Sequence, residues 1–471
     1  MPSSAKSSFV VVANRLPVRW SDDGGGWETS PGGLVSALTP ILQEREGTWV
    51  GWTGQPDHAP EPFVHDNIVQ RAVRLTADQI ASYYRGFCNA TVWPLYHHAI
   101  RSPEYHRHWW RPYVAVNRRF AAAVADSLRP DGTAWVHDYH LQLVPAFLRE
   151  RLPEVRIGFF LHIPFPPVEL FAYLPWRREI LEGLLGADVL AFQTRQSVSN
   201  FRDSALRYTP AVPRVDGLEF EGRYVRLQWA PIAVDTGHYE RLARSAEVET
   251  HAGSIRRRLG PERTVLLGVD RLDYTKGIDI RLKALETFFE RYPDTASGCA
   301  VLQIAVPSRE KVSEYEEMRQ AVERLVGQIN GAHGRPGYTP VTYMYRNLPA
   351  EELVACYRAA DVMMVTPPCD GMNLVAKEYV ATRYDDTGLL VLSEFAGAAA
   401  ELEEALLVNP YDVDGLARML REAVSLPEAE ARRRMTALRN RVREHNVFDW
   451  SRRCLAALDA APLAPVHAGP A

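Results

Sequence analysis

Lysine is nearly missing from this chain: of 54 basic residues, only Lys6, Lys276, Lys283, Lys311 and Lys377 are lysine. The skew toward arginine fits a codon bias, and it makes each remaining lysine informative. Cysteine is scarce too. Cys88, Cys299, Cys356, Cys369 and Cys454 form no CxxC pair, and an odd, scattered set excludes a disulfide framework and suits reduced thiols in a core. No apolar run reaches the length of a bilayer span, and the opening MPSSAKSSFVVVANR has neither the basic stretch nor the apolar core of a signal peptide. The expectation is a cytoplasmic protein with no membrane partner. Nor is there an excess of either charge: a net charge of −4, a pI near 6.4 and no run of Lys and Arg argue against nucleic acid as a partner.

What is there in quantity is hydrophobic residue, 46% of 471 positions. That length exceeds what one hydrophobic core serves, so two domains of about 200 residues each are expected. Short β-rich apolar runs at 9–13, 134–136, 157–162, 189–192, 264–269, 301–306, 362–366 and 389–393 alternate with amphipathic stretches such as 113–128, 281–292, 310–329 and 351–360. This alternation predicts parallel sheets covered by helices on both faces. A change of character after about Pro231 puts the domain boundary there. The expected division is 1–234, 235–447, a helix over 448–460 that packs back across the domains, and a fraying Ala- and Pro-rich tail over 461–471 with no room for a further catalytic domain.

Polar, Gly-containing segments follow these strands repeatedly, at the sheet edge where open α/β folds bind ligands. Asn14 and Arg15 follow the first strand, and Gly32-Gly33 opens a helix where backbone amides can approach a phosphate. His137-Asp138-Tyr139-His140 and His162 follow two more strands. A metal site there lacks a third cluster with metal spacing, so none is expected; hydrogen bonds to hydroxyl groups suit these side chains better. Arg271 and Lys276 place two cations on one loop, as neutralising a diphosphate leaving group requires. Arg309 can clamp a phosphate bidentately. In TPPCDGMNLVAKE, residues 366–378, a strand runs through a turn into a helix beginning near Asn373. There Asp370 can hold a sugar hydroxyl, the first helical amides face a diphosphate, and Glu378 accepts from a ribose. Asp412-Val413-Asp414 looks like a metal-binding DxD but precedes a helix, so Asp412 is read as a cap. The pair His97-His98 is read as structural.

VVVANRLPV, GGLVSAL, WVGW, HDYHLQLVPAFLR, IGFFLHIPFP, GVDRLDYTKGI, VPSRE, DGMNLVAKEYVA and LSEFAGAA resemble, in order and over nearly the whole chain, the trehalose-6-phosphate synthases. That family implies the GT-B fold, α/β, with two Rossmann-like doubly wound domains facing a central cleft, the first for the acceptor and the second for the donor. It implies transfer of glucose from a nucleotide-sugar to glucose 6-phosphate with retention, without metal or cofactor. Carried over by motif, Arg271 and Lys276 bind the donor diphosphate, Leu374 and Val375 its phosphates through backbone amides, and Glu378 its ribose, with Asn373 at the helix start and Gly33 bordering the donor. His162 and Asp370 hold the transferring glucose. Asp138 lies near the acceptor, Arg15 and Arg309 clamp its phosphate, and Trp52, Tyr84 and Trp93 wall its pocket; Trp49 competes with Trp52 for that place.

The chain departs from familiar members in the expected base-binding loop, Tyr343 to Leu348, where Leu348 replaces an aromatic. Arg346 and Asn347 offer donors and an acceptor that a guanine edge can use, so GDP-glucose and UDP-glucose both stand as donors. A pseudo-glycosyltransferase coupling cyclitols, and a silent sugar-phosphate sensor, are the competing readings. Intact acceptor residues oppose the first and intact donor residues the second. The sequence leaves a homo-oligomer open.

Overall fold

In this computed structural model, residues 6–21, 25–30, 33–308 and 313–461 are described. The chain divides into two compact units, Met1–Ile232 with Phe448–Ala471, and Ala233–Val447.

In the first unit the seed is β1, Ser7–Arg15, buried without interruption from Phe9 to Asn14. A strand covered on both faces has no solvent side to alternate with, which is why VVVAN reads as one apolar run. β2 (Val18–Ser21) and β3 (Gly26–Thr29) form a separate hairpin. The main sheet adds β4 (Thr48–Trp52), β5 (Phe63–His65), β6 (Ile68–Ala72), β7 (Leu128–His137), β8 (Arg156–Leu161), β9 (Val189–Phe192), β10 (Val212–Arg214), β11 (Gly217–Phe220) and β12 (Arg223–Trp229). Its order is β10-β11-β12-β9-β8-β7-β1-β4-β6-β5. At the two edges β5 pairs antiparallel with β6, and β11 pairs antiparallel with β10 and β12; the pairs between are parallel. The parallel part therefore reverses direction of winding between β1 and β7, which pair in register Val10 with Ala134 and Val12 with Val136.

The second unit holds β13 (Thr264–Arg271), β14 (Cys299–Val306), β15 (Val341–Tyr345), β16 (Val362–Val365), β17 (Leu389–Ser393) and β18 (Leu406–Val408). The order is β15-β14-β13-β16-β17-β18, all parallel. Its winding reverses between β13 and β16. Both units thus place a topological switch point where one early strand meets one late strand, and the crevice outside the carboxyl ends there is where such sheets take ligands.

From Phe448 onward the helix Val447–Asp459 belongs to the first unit. Trp450 is fully buried, stacks on Trp135 at 5.3 Å, meets Phe160 edge-on at 5.2 Å and donates its indole N–H to the Ala230 carbonyl at 3.1 Å. Gly158 admits this helix: a Cβ there would stand 2.8 Å from Leu458. Residues Ile80–Val92 form a π-helix, a winding that no apolar period of 3.6 announces and that recurs at functional sites. The expected tail lies outside the described residues from 462 onward. Among the described residues, no helix is long and apolar enough to cross a membrane.

Candidate active site

At the first switch point β1 ends in Asn14 and Arg15. Asn14 is buried and accepts from the Tyr83 hydroxyl at 2.8 Å. Trp49 donates its indole N–H to the Arg15 carbonyl at 3.0 Å, so it anchors the strand end, while the Arg15 guanidinium lies 4.5 Å over the Trp52 ring. Gly54, at φ +96°, makes room for it: a Cβ there would fall on Arg15 Nη1. Although part of its surface stays accessible, Arg15 sits deep enough that desolvation lowers its pKa.

From Trp52 a file of rings runs inward. Trp52 meets Tyr84 at 5.8 Å, Tyr84 stacks on His140 at 5.8 Å, His140 touches Tyr139 at 3.9 Å, and Tyr139 meets Trp93 at 5.6 Å. The residues Arg15, Trp52, Tyr84 and Trp93, scattered over 79 positions of sequence, are thereby brought into one wall. The π-helix supplies Tyr84, and Trp93 follows directly after it.

Asp138, just past β7, stands at φ 75°, ψ 166°. That backbone region is essentially reserved for glycine, and holding another residue there costs about 1–3 kcal/mol. Part of the compensation is a hydrogen bond: Asp138 Oδ1 accepts from the backbone N–H of His162 at 3.2 Å. His140 Nδ1 lies 3.8 Å from Asp138 Oδ2. Burial drives the His162 pKa down to about 3, so its ring is neutral at ordinary pH. His137 lies against it, 3.1 Å from Nδ1 to His162 Nε2; both histidines are visible in the sequence, but nothing there pairs them. Among the described residues no three His, Cys, Asp or Glu side chains gather as a metal site.

In the second unit β13 delivers Asp270 and Arg271 on opposite sides of the sheet edge, Asp270 buried and Arg271 exposed. Asp273 then caps the tight turn Tyr274–Lys276, accepting from Thr275 N–H at 3.0 Å. Gly277, left-handed at φ 64°, starts the helix Ile278–Arg291; a Cβ there would lie 3.0 Å from the Thr366 carbonyl. The turn aims Lys276 at Asp370, with which it forms an ion pair.

Asp370 also accepts from Asn373 Nδ2 at 3.0 Å. Asn373, left-handed at φ 74°, caps the helix Leu374–Thr382 through Ala376 N–H. The N–H groups of Leu374 and Val375 therefore head a helix whose geometry gives them no intrahelical acceptor. The turn itself is tightly fitted, since a Cβ on Gly397 would fall on the Gly371 carbonyl. One turn further, Glu378 accepts from the Tyr357 hydroxyl at 2.9 Å and from Tyr239. Burial nonetheless leaves its pKa raised. Its neighbour Lys377 points elsewhere, into a buried pair with Glu401 at 2.5 Å.

The stretch expected to be a base-binding loop begins as strand, because Val341–Tyr345 pairs with β14. Beyond it Arg346 and Asn347 are exposed, Arg346 paired with Glu352 at 2.5 Å, and Leu348 is buried. Gly33 opens the helix Gly33–Glu44, while Arg309 lies outside the described residues. Asp412 is the cap it was read to be, accepting from Gly415 N–H at 2.8 Å. His97, buried, bonds the Trp93 carbonyl at 2.8 Å, a structural contact. Sequence reading missed Arg281. It is fully buried and holds Asp270 at 2.7 Å, Thr366 at 2.9 Å and Gln303 at 3.1 Å, fixing β13 and β16 at the switch point. The signal was available: an arginine on the apolar face formed by Ile278, Leu282 and Leu285.

The chain is similar to known proteins over nearly its whole length. Residues 7–460 match the model of glycosyltransferase family 20. A trehalose-6-phosphate synthase of Mycobacterium avium (strain 104) is 50% identical over 472 residues, covering 97% of this chain and 96% of its own. A solved E. coli structure bound with UDP-2-fluoro glucose is 34% identical with a TM-score of 0.89, covering 96% of this chain and 99% of its own. The same identity, TM-score and coverages hold for an α,α-trehalose-phosphate synthase (UDP-forming) from Burkholderia xenovorans in complex with glucose-6-phosphate.

Proposed function

Because the chain belongs to glycosyltransferase family 20 and has the GT-B fold, we propose that it transfers glucose from a nucleotide-diphosphate glucose to glucose 6-phosphate, with retention, forming α,α-trehalose 6-phosphate. The observation that carries this reading is the cationic and amide-rich end of the second unit: Arg271, Lys276 and the head of the helix Leu374–Thr382 gather at one switch point. A diphosphate is the ligand such an arrangement suits. The second unit, with Glu378 for the ribose, is the donor domain in this reading. The first, with Arg15 over Trp52 and the ring file to Trp93, is the acceptor domain, a cation for the phosphate beside flat apolar faces for the sugar. Half identity to a synthase over nearly the full length, and a glucose-6-phosphate complex among the structural neighbours, support the acceptor.

In the step so read, the acceptor hydroxyl oxygen bonds to the anomeric carbon on the face from which the diphosphate departs. The bond from that carbon to the diphosphate oxygen breaks, and its electron pair leaves with the diphosphate. The hydroxyl proton passes to a departing phosphate oxygen, and Arg271 and Lys276 stabilise the charge that develops there. Asp138 is the alternative base. Lys276 is already held by Asp370, so it stands oriented before the donor arrives.

Two donors are proposed. Exposed Arg346 and Asn347 support GDP-glucose, and the neighbours bound with a UDP-sugar or described as UDP-forming support UDP-glucose. The test is NMR product analysis with glucose 6-phosphate and each donor separately. An α,α-1,1-linked disaccharide phosphate is the expected product, and the higher kcat/KM identifies the donor. No product with either donor sinks the reading.

A further inference from the structure

His137 ends β7, is buried with no exposed surface, and has no part in the transfer described above. Its Nδ1 lies within hydrogen-bond distance of His162 Nε2, so one of the two nitrogens donates and the other accepts. Burial keeps both rings neutral, His137 well below the usual histidine range and His162 at about 3. Each ring therefore carries a single N–H, and the pair has two arrangements. In one, His162 donates from Nε2 and the His137 proton sits on its own Nε2. That atom is buried and has no hydrogen-bond partner among the described residues. A buried N–H without an acceptor forfeits its hydration, at about 1–3 kcal/mol, and orphaned N–H donors are rarer than under-used acceptors. In the other arrangement His137 donates from Nδ1 and only a lone pair is left unfilled. His162 then accepts at Nε2 and carries its proton on Nδ1.

We propose that His137 is a positioning residue that holds His162 as its Nδ1-protonated tautomer, so that this ring offers a hydrogen-bond donor of fixed direction to the transferring glucose. The inference rests on the reading of His162 as a sugar-holding residue and extends it to the atom and the proton involved. The surroundings make the lock rigid. Trp135 packs on His137 at 4.7 Å and is itself backed by Trp450. Phe160 lies 4.6 Å from the His162 ring, whose own backbone N–H is tied to Asp138. A neutral donor at that point grips a sugar hydroxyl without presenting a charge of its own.

The test is the two-bond proton–nitrogen NMR spectrum of protein labelled with 15N-histidine, recorded without substrates, which reports which ring nitrogen of His162 is protonated. Wild type is expected to show Nδ1–H. His137→Asn keeps a donor where the imidazole Nδ1 stood and is expected to preserve that pattern; His137→Phe removes the donor and is expected to lose it. In parallel, kcat is expected to fall about tenfold in H137F, the loss of one aligned hydrogen bond, with KM for glucose 6-phosphate unchanged and most of kcat recovered in H137N. Protonation of wild-type His162 at Nε2, or equal impairment of H137N and H137F, overturns the inference. The spectrum needs no substrate, so it decides the tautomer even where product analysis defeats the proposed reaction.

Discussion

Two tyrosines govern the carboxyl of Glu378. Burial raises its pKa, while hydrogen bonds from Tyr357 and Tyr239 work in the opposite direction. Tyr357→Phe removes one of these donors, so the pKa rises further and the carboxylate protonates at a higher pH. If Glu378 accepts from a ribose, the acid limb of donor affinity moves to higher pH in this variant, which calorimetric titration with the nucleoside diphosphate across pH 5–8 would read. An unmoved limb would remove Glu378 from the donor site. Arg281 makes a second case at this scale. Arg281→Leu strands the Asp270 charge in the core, a change expected to cost about 3–5 kcal/mol, visible as a lower urea midpoint. Arg271 and Lys276, and Asp370 and Glu378, can be named as candidates from sequence because each pair lies within one contiguous motif. Tyr357, Tyr239 and Arg281 cannot, because each serves the site through a contact that only the fold creates.

At the scale of elements, the turn after β7 is the most demanding. Asp138 occupies a glycine conformation, so removing its carboxylate in two ways separates side chain from backbone. Asp138→Ala and Asp138→Gly both lose the bond to His162 N–H, yet the glycine variant relieves the strain. It is expected to be the more stable of the two by about 1–3 kcal/mol, measured by chemical denaturation, the reverse of the usual order of alanine over glycine. Equal stabilities would mean that the turn is unstrained. Buried strands such as 189–192 and 389–393 could be read from sequence because their runs are apolar throughout but for the closing Ser393. β12 could not: RYVRLQW alternates, burying Val225 and Leu227 between partly exposed neighbours, and lacks the continuous signal. β15 reads as loop in the sequence, since its residues are mostly only partly buried. The π-helix stayed hidden for the reason of its winding.

For the molecule as a whole, the buried histidine pair sets an acid limit. Above pH 6.5 the rings are neutral folded or unfolded and contribute nothing. As the pH falls from there toward 3, the unfolded chain takes up protons that the folded one refuses. Stability then drops by up to about 1.4 kcal/mol per pH unit for each ring. The urea midpoint of wild type is expected to be lower at pH 5 than at pH 7, and the difference to shrink in His162→Phe; an unchanged difference would assign the acid sensitivity to other groups.

The helix Val447–Asp459 gives the first unit a particular birth order. A ribosome that has finished residue 232 has made the whole ten-stranded sheet but not Trp450, which closes over Trp135, Phe160 and the Ala230 carbonyl. All of the second unit must be synthesised in between, at about 5–20 residues per second. For on the order of ten seconds or more the nascent sheet therefore waits with an aromatic face uncovered, a natural foothold for a chaperone and a hazard when translation stalls.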